Sequence, residues 1–377
     1  MTTVVEIAFW IAVGLLLYTH LGYPLLLAGL SRLRRSPGAP VGTAPTPTVT
    51  LIVAAHDEEA VIAGWVRNAL DLDYRPDGLG IVVACDGCTD ATAERAREAG
   101  AHRVLELERG GKVAALNAAA ADARGDVLAF SDANARWQPD ALRRLVAPLA
   151  DPEVGYVCGQ VGFTAHEGTA NEEGLYWRYE MAVRQMESDL AGITAGNGAI
   201  NAVRREAYIA LEPTRGQDIS LPFELQKRGW RAVYEPSARA SEPMAPTIEG
   251  EFRRKRRMMA GAWNTILRTS LLSPRGYRPL YALQIYSHRL LRYATPILHL
   301  VALAANVALL GEGALYVATL SAQLALLGAA LLGAVFPLRP FRIARYYAAV
   351  TLASAAGLWD LLRGGVPRTW ESVEGTR

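Results

Sequence analysis

An α/β domain with a mostly parallel sheet, carried between membrane-crossing helices, is the architecture this sequence predicts. Three observations predict it. Nearly uninterrupted apolar residues from Val4 to Leu30, and further apolar stretches from Leu291 onward, are long enough to cross a bilayer at about 1.5 Å per residue. Between them, from Thr48, apolar β-branched runs alternate with helical stretches, the pattern of a parallel sheet covered on both faces. Apolar residues make up 51% of the 377, high for a chain living wholly in water, and the mean hydropathy is positive.

In chain order, residues 1–35 read as a spanning helix with a basic flank. Arg32, Arg34 and Arg35 follow the apolar run and Glu6 lies at its start, the reverse of a cleaved signal peptide. The positive-inside bias then places the N-terminus outside and the next domain in the cytoplasm. Residues 36–47, SPGAPVGTAPTP, read as a Pro-rich linker. Residues 48–245 hold the α/β domain: VTLIVAA precedes a helix near 59–72, GIVVAC one near 90–99, RVLEL one near 112–123, and VLAFS one near 139–149.

From Glu249 to Arg292 ten Lys/Arg stand against two acids, so 246–290 reads as basic amphipathic helices at the membrane surface. GYRPLYALQIYSHRLLRYATP there mixes aromatic and basic residues as an interfacial segment does. Residues 291–363 carry two to three spans at 291–310, 314–335 and 344–362, the last diluted by Tyr and Ser, and 364–377 is a tail. PLRPFRIAR, between the last two, fits the cytoplasmic side. The expectation is a multi-pass protein of the cell (inner) membrane with its α/β domain in the cytoplasm. A net charge of +2, with 39 basic residues against 37 acidic, carries no signature of a nucleic-acid partner.

In open α/β sheets ligands bind at the carboxyl ends of strands. Three strand ends here carry carboxylates: AAHDEE gives Asp57, ACDGCTD gives Asp86 and Asp90, and FSDAN gives Asp132. One acid in such a place is an ordinary helix N-cap; several converging on one crevice make a polar site. Acids beside a phosphate-bearing ligand call for a divalent cation with oxygen ligands. ERGGKVAALN adds Lys112 at a helix start after two glycines, where backbone N–H groups and an ammonium can meet a phosphate. The chain lacks the G-x-x-x-x-G-K-[ST] loop and has no G-x-G-x-x-G after its first strand, which argues against a dinucleotide cofactor.

Cys85 and Cys88 have C-x-x-C spacing, but Cys85 ends an apolar strand and the neighbouring Asp86 and Asp90 disfavour a thiolate. The six scattered histidines and Cys158 supply no further zinc ligands. Three cysteines make no disulfide framework and point to a reducing compartment.

From Thr48 to Gly261 the motifs, in order, resemble family 2 glycosyltransferases, in particular the membrane-bound subgroup with cellulose synthase and poly-N-acetylglucosamine synthase relatives. The resemblance implies the GT-A fold. VTLIVAAHDEEAVI is similar to the family's first strand and acidic turn, which puts Ala54 and Glu58 beside the nucleotide. VVACDGCTDAT is similar to the strand whose aspartate holds the nucleoside, a role falling on Asp86; GGKVAALN is similar to the stretch beside the phosphates, a role falling on Lys112. FSDAN stands where the Asp-x-Asp metal motif belongs, implying Asp132 and Asn134 as ligands of Mg²⁺ or Mn²⁺, with Asp132 also on the nucleotide side. GLYWRYE and AGNGAINAVRREAY resemble the acceptor-side segment, implying Gly196, Asn197 and Gly198; GQDISLPFELQKRGWRAVYEP resembles the motif whose aspartate is the base, implying Asp218 with Gln217 on the acceptor side.

Two departures stand out. Asn134 replaces the second acid of the metal motif, so it ligates without adding charge. RKRRM replaces the Gln-x-x-Arg-Trp motif of processive synthases, with Arg254, Arg257 and Met258 at its key positions; the missing Trp argues against processive polymerisation, and both guanidiniums are candidates for a diphosphate. The resemblance therefore implies an inverting transferase, moving a sugar from a nucleotide sugar, UDP-sugars foremost, to a membrane-associated glycan or polyprenyl-linked acceptor in cell-surface polysaccharide synthesis. Other polysaccharide-assembly proteins are candidate partners. The alternatives are a polyprenyl-phosphate sugar synthase, whose acceptor needs less help from a base, and a non-catalytic nucleotide-sugar-binding membrane subunit.

Overall fold

Residues 2–33, 46–164, 172–243, 248–336 and 338–365 are described by the computed structural model. Most of the expected linker, Arg34, Arg35, residues 244–247 and the end of the tail lie outside them, as do the side chains of Gly174–Tyr176 in GLYWRYE.

Helices α1 (Thr2–Leu17) and α2 (Tyr23–Leu33) run on through a π-helical turn at Tyr18–Gly22, and together they are long and apolar enough to cross a membrane. The α/β domain follows as β1 (Val49–Ala55), α3 (Ile62–Leu70), β2 (Leu79–Asp86), α4 (Thr92–Glu98), β3 (Arg103–Leu107), α5 (Lys112–Asp122), β4 (Val127–Ser131), β5 (Arg136–Trp137) and α6 (Ala141–Val146). Then come β6 (Val154–Thr164), α7 (Glu172–Leu190), β7 (Asn201–Arg204), α8 (Gln217–Lys227) and β8 (Arg231–Pro243).

The strands form one sheet in the order β3-β2-β1-β4-β7-β6-β8-β5. Its first four strands are parallel, as the alternation of apolar runs and helices requires. Its other half is mixed: β7 runs antiparallel to β4 and β6, β5 antiparallel to β8, and β6 parallel to β8 with a bulge at Gly159/Gln160 that bends the pair.

Strand β1 shows why the apolar run is unbroken. Val49, Leu51, Val53 and Ala55 pack with Ile62, Trp65 and Val66 of α3 on one face, while Ile52 and Ala54 pack with Ala115, Leu116 and Ala119 of α5 on the other. Burying each Val, Leu or Ile on such a strand stabilises the fold by about 1.5–3 kcal/mol. The strand order reverses beside β1, between β2 on one side and β4 on the other, the place at the strands' carboxyl ends where open α/β sheets bind ligands.

Beyond the sheet lie α9 (Ile248–Arg268), α10 (Pro279–Gln284), a second π-helical stretch at Ile285–Leu290, α11 (Leu291–Tyr293) and α12 (Thr295–Ala308). The rod from Pro279 to Tyr293 meets α12 at a bend of 61°, and the pair counts as a further span only if taken together. Helix α13 (Ala314–Leu332) is a second helix able to cross on its own; α14 (Arg339–Gly364) is longer but does not reach the same apolarity.

The membrane-side helices grip the α/β domain through one buried polar network. The Glu187 carboxylate on α7 is fully buried and accepts hydrogen bonds from Tyr23 Oη of α2 (2.6 Å) and Thr194 Oγ1 (2.9 Å), and pairs with His288 Nδ1 (2.8 Å). Arg289 donates to Thr194 Oγ1 (2.8 Å), and Arg292 pairs with Glu180. Tyr18 in the first π turn meets Ser287 in the second at 2.8 Å.

Candidate active site

Asp86 ends β2 and is almost wholly buried, at 1% exposure. Its carboxylate accepts N–H bonds from Gly110 (2.7 Å) and Gly111 (3.0 Å) and pairs with Arg109 (2.8 Å). Asp86 thus ties down the glycine turn that starts α5 and fixes Lys112 at the helix N-terminus. The Ala54 side chain belongs to the core beneath this floor, and the backbone N–H of buried Glu58 donates to Thr92 Oγ1 at 2.8 Å.

Lys112 Nζ pairs with Asp132, the residue just past β4, and both side chains remain about a third exposed, at 32% and 30%. Burial pulls the Lys112 pKa down, but the carboxylates of Asp132, Asp218 and Glu242 overcome it and hold the ammonium above its ordinary value. Gly198 lies against this pair: a Cβ there would stand 2.9 Å from Lys112 Nζ and 3.0 Å from Asp132 Oδ2. Asn134 follows Asp132 by two residues and is half-buried.

Asp218 is the second residue of α8, and its carbonyl accepts the Gly196 N–H at 2.7 Å. Burial raises its carboxyl pKa; Asp132 adds to the rise, while Lys112 and Arg184 oppose it. The segment 196–198 and the start of α8, where Gln217 is buried, are therefore joined by a backbone bond. The Asn197 side chain is committed to the chain itself: its Nδ2 donates to Gly159 O (2.9 Å) and its Oδ1 accepts from Ile200 N (2.9 Å). Arg254 pairs with Glu251 at 2.9 Å and lies over the Phe163 ring, whereas Arg257 is exposed on α9.

Two members of the constellation were not singled out from sequence. Glu242, near the end of β8, is hydrogen-bonded to Asp132; burial and the Asp132 charge push its pKa up to about 8. Arg184 of α7 is 8% exposed and, among the described residues, has no carboxylate within ion-pair distance; its Nη2 donates to Gly196 O (3.3 Å) and its guanidinium lies 5.7 Å from the Tyr234 ring centroid. A buried guanidinium next to Gly196 and in the field of Asp218 is the only signal that marks it, and a sequence does not show it.

Asp57, Cys88 and Asp90 bring ligand-type atoms within 4.8 Å of one another. Their bonds explain the gathering without an ion: Asp57 accepts the Thr89 N–H (2.7 Å), and Asp90 accepts those of Glu59 (3.1 Å) and Thr92 (3.0 Å). These bonds staple the turn after β1 to the turn after β2. Cys88 Sγ donates to Ala55 O at 3.4 Å, and the hydrogen bond with Cys88, together with burial, keeps the Cys85 thiol protonated. Cys85→Ser and Cys88→Ser proteins are expected to bind donor within roughly twofold of the parent, since neither thiol supplies a charge or a ligand; titration calorimetry with the preferred nucleotide sugar checks this.

Among solved structures, a mannosyltransferase from Pyrobaculum calidifontis, in complex with GDP-Man and Mn²⁺, has the same fold: TM-score 0.71 at 24% identity, covering 94% of this chain and 99% of that one. Among curated proteins, the beta-monoglucosyldiacylglycerol synthase of Synechocystis is 27% identical over 326 residues, 78% of this chain and 66% of its own. An N-acetylglucosaminyltransferase of Rhizobium meliloti is 27% identical over 273 residues, 64% of this chain and 62% of its own. The chain thus spans less than two thirds of the length of either curated relative. Residues 45–261, well over half of the chain and the part that carries every strand end described above, match the family described as "Glycosyltransferase like family 2", and the chain belongs to that family of enzymes.

Proposed function

We propose that the protein transfers a sugar, with inversion, from a nucleotide sugar to a hydroxyl of a membrane-borne acceptor, a lipid or lipid-linked glycan, on the cytoplasmic face. The observation that carries the acceptor class is the seat of the base. Ala195 and Ile219, next to Gly196 and Asp218, pack in one cluster with Trp263 of α9, Tyr281 of α10 and Ile285 of the π stretch that leads into the bent span. An acceptor reaching Asp218 there comes from the level of the bilayer surface. The Synechocystis relative, by its description a glycolipid synthase, supports the same reading.

In the reaction the acceptor O–H attacks the anomeric carbon, its proton passes to the Asp218 carboxylate, and the bond from that carbon to the diphosphate breaks. Lys112, steadied by Asp132, and Arg254 offer cations to the departing diphosphate. Asp86 acts by shaping the glycine turn beneath the nucleotide. The donor set of Asp132, Asn134 and Glu242 is all oxygen, with two carboxylates facing each other, and fits a hard divalent cation whose charge would offset both. Bound there, Mg²⁺ or Mn²⁺ supplies charge stabilisation to the leaving group.

The test is nucleotide release by the full chain in lipid nanodiscs, across UDP- and GDP-sugars, with diacylglycerol, a polyprenyl phosphate or a soluble glycan as acceptor. Chelation with EDTA is expected to abolish release, and added Mn²⁺ or Mg²⁺ to restore it. A preference for the soluble glycan would overturn the acceptor class, and undiminished release in EDTA the metal assignment.

A further inference from the structure

We propose that α14 is not a third C-terminal span but an in-plane anchor, lying along the leaflet nearest the catalytic domain with an apolar stripe among lipid tails and arginines among anionic headgroups. The helix has two unlike sides. Ala353, Ser354, Gly357 and Leu361 are buried, and a Cβ at Gly357 would stand 2.7 Å from Ala260 N and 2.9 Å from Arg256 O, so the two backbones touch. Trp263 Nε1 donates to Ser354 O at 3.1 Å, and Arg256 makes two 2.6 Å bonds to Asp360. Leu361 enters the cluster that holds Ile219 beside the base. The last turns of α14 therefore lie level with the catalytic domain.

The other side is exposed and apolar: Leu352, Trp359 and Leu362 are 60%, 53% and 70% exposed. Spaced by seven and then three residues, they fall on one stripe. An exposed Leu/Trp stripe marks a contact, and a helix carrying a Trp on such a stripe, basic residues at its ends and modest apolarity is built to lie in an interface. Arg339, Arg342 and Arg345 open the helix and Arg363 closes it, stacked 4.1 Å from the Trp359 ring. Their sum is cationic, which selects anionic headgroups over zwitterionic ones. Continuity names the occupant as lipid: Phe341 and Arg345 pack on Gly333 just past the end of α13, which crosses the same bilayer. Threading α14 across would instead place at least two of its five charged residues, Arg345 always among them, in the roughly 20-residue hydrocarbon stretch.

The experiment places a nitroxide amino acid singly at 352, 359 or 362 of the full chain, in nanodiscs of phosphatidylcholine with or without phosphatidylglycerol, and reads depth from the oxygen and nickel accessibility of each label. An in-plane helix gives three similar shallow depths. A spanning helix separates 352 from 362, ten residues apart, by about 15 Å along the membrane normal, and that result would overturn the proposal. So would three labels in water. Omitting phosphatidylglycerol is expected to move all three labels outward; identical depths in both lipids would remove the anionic headgroups from the proposal. Nucleotide release is measured on each labelled protein, so a failure of the activity reading registers separately from a failure of the anchor.

Discussion

Replacing Asp218 by Asn lowers the rate of glycosyl transfer by about two to four powers of ten, the usual contribution of a general base, while leaving donor affinity in place. The amide keeps the shape of the residue and the carbonyl that accepts the Gly196 N–H, so α8 and the 196–198 segment stay joined. What it loses is the capacity to take a proton. The same group sets the pH profile. Burial raises the Asp218 pKa, against the pull of Lys112 and Arg184, and a base must be ionised, so on the acid side the rate falls at a higher pH than an ordinary aspartate would give. Single-turnover nucleotide release between pH 4 and 8, with donor affinity measured alongside, checks both statements. Transfer that persists in Asp218→Asn would assign the reaction to a phosphate acceptor, which needs no base.

How much of this site a sequence can show depends on where each residue sits along the chain. Asp86, Lys112 and Asp132 were legible because a parallel sheet places the residue after each strand at one edge, and a strand end can be read from a run such as VLAFS. Their division of labour was not legible. The Asp86 carboxylate is taken by the Gly110 and Gly111 amides and Arg109, contacts that depend on how the later turn folds back. Glu242 reaches Asp132 only because β8 joins the far half of the sheet, whose mixed pairing rests on a four-residue strand, β7, too short to carry a period. Asn197 can be placed from AGNGAIN, but that its side chain bonds to Gly159 and Ile200 is visible only in the fold. The apolar run in α14 reads as a span in one dimension; Gly357 against α9 is a fact of three.

The second large effect falls on stability. Glu187→Gln is expected to destabilise the protein by about 3–5 kcal/mol, because it removes one charge from a buried set and leaves its partners unpaired. The set comprises Glu180 and Glu187 against Arg289 and Arg292, with His288 between the two carboxylates. Burial alone would raise the Glu187 pKa, yet His288 and Arg289 more than offset it and hold the group below its ordinary value. A carboxylate depressed in the folded state contributes stability that is present above its unfolded pKa of about 4.3 and is lost as the pH falls through the folded value. The parent should therefore lose thermal stability in acid more steeply than Glu187→Gln, which has no proton to take up at that position. Melting curves in detergent from pH 7 down to pH 3 measure both the gap and its narrowing. The consequence reaches the active site: Glu187 holds Thr194, two residues before Gly196, to Tyr23 of the membrane rod, so loosening it should raise acceptor KM before it touches donor affinity. Equal losses of donor and acceptor affinity in Glu187→Gln would mean that the network only stabilises the fold and does not set how the acceptor loop meets the membrane.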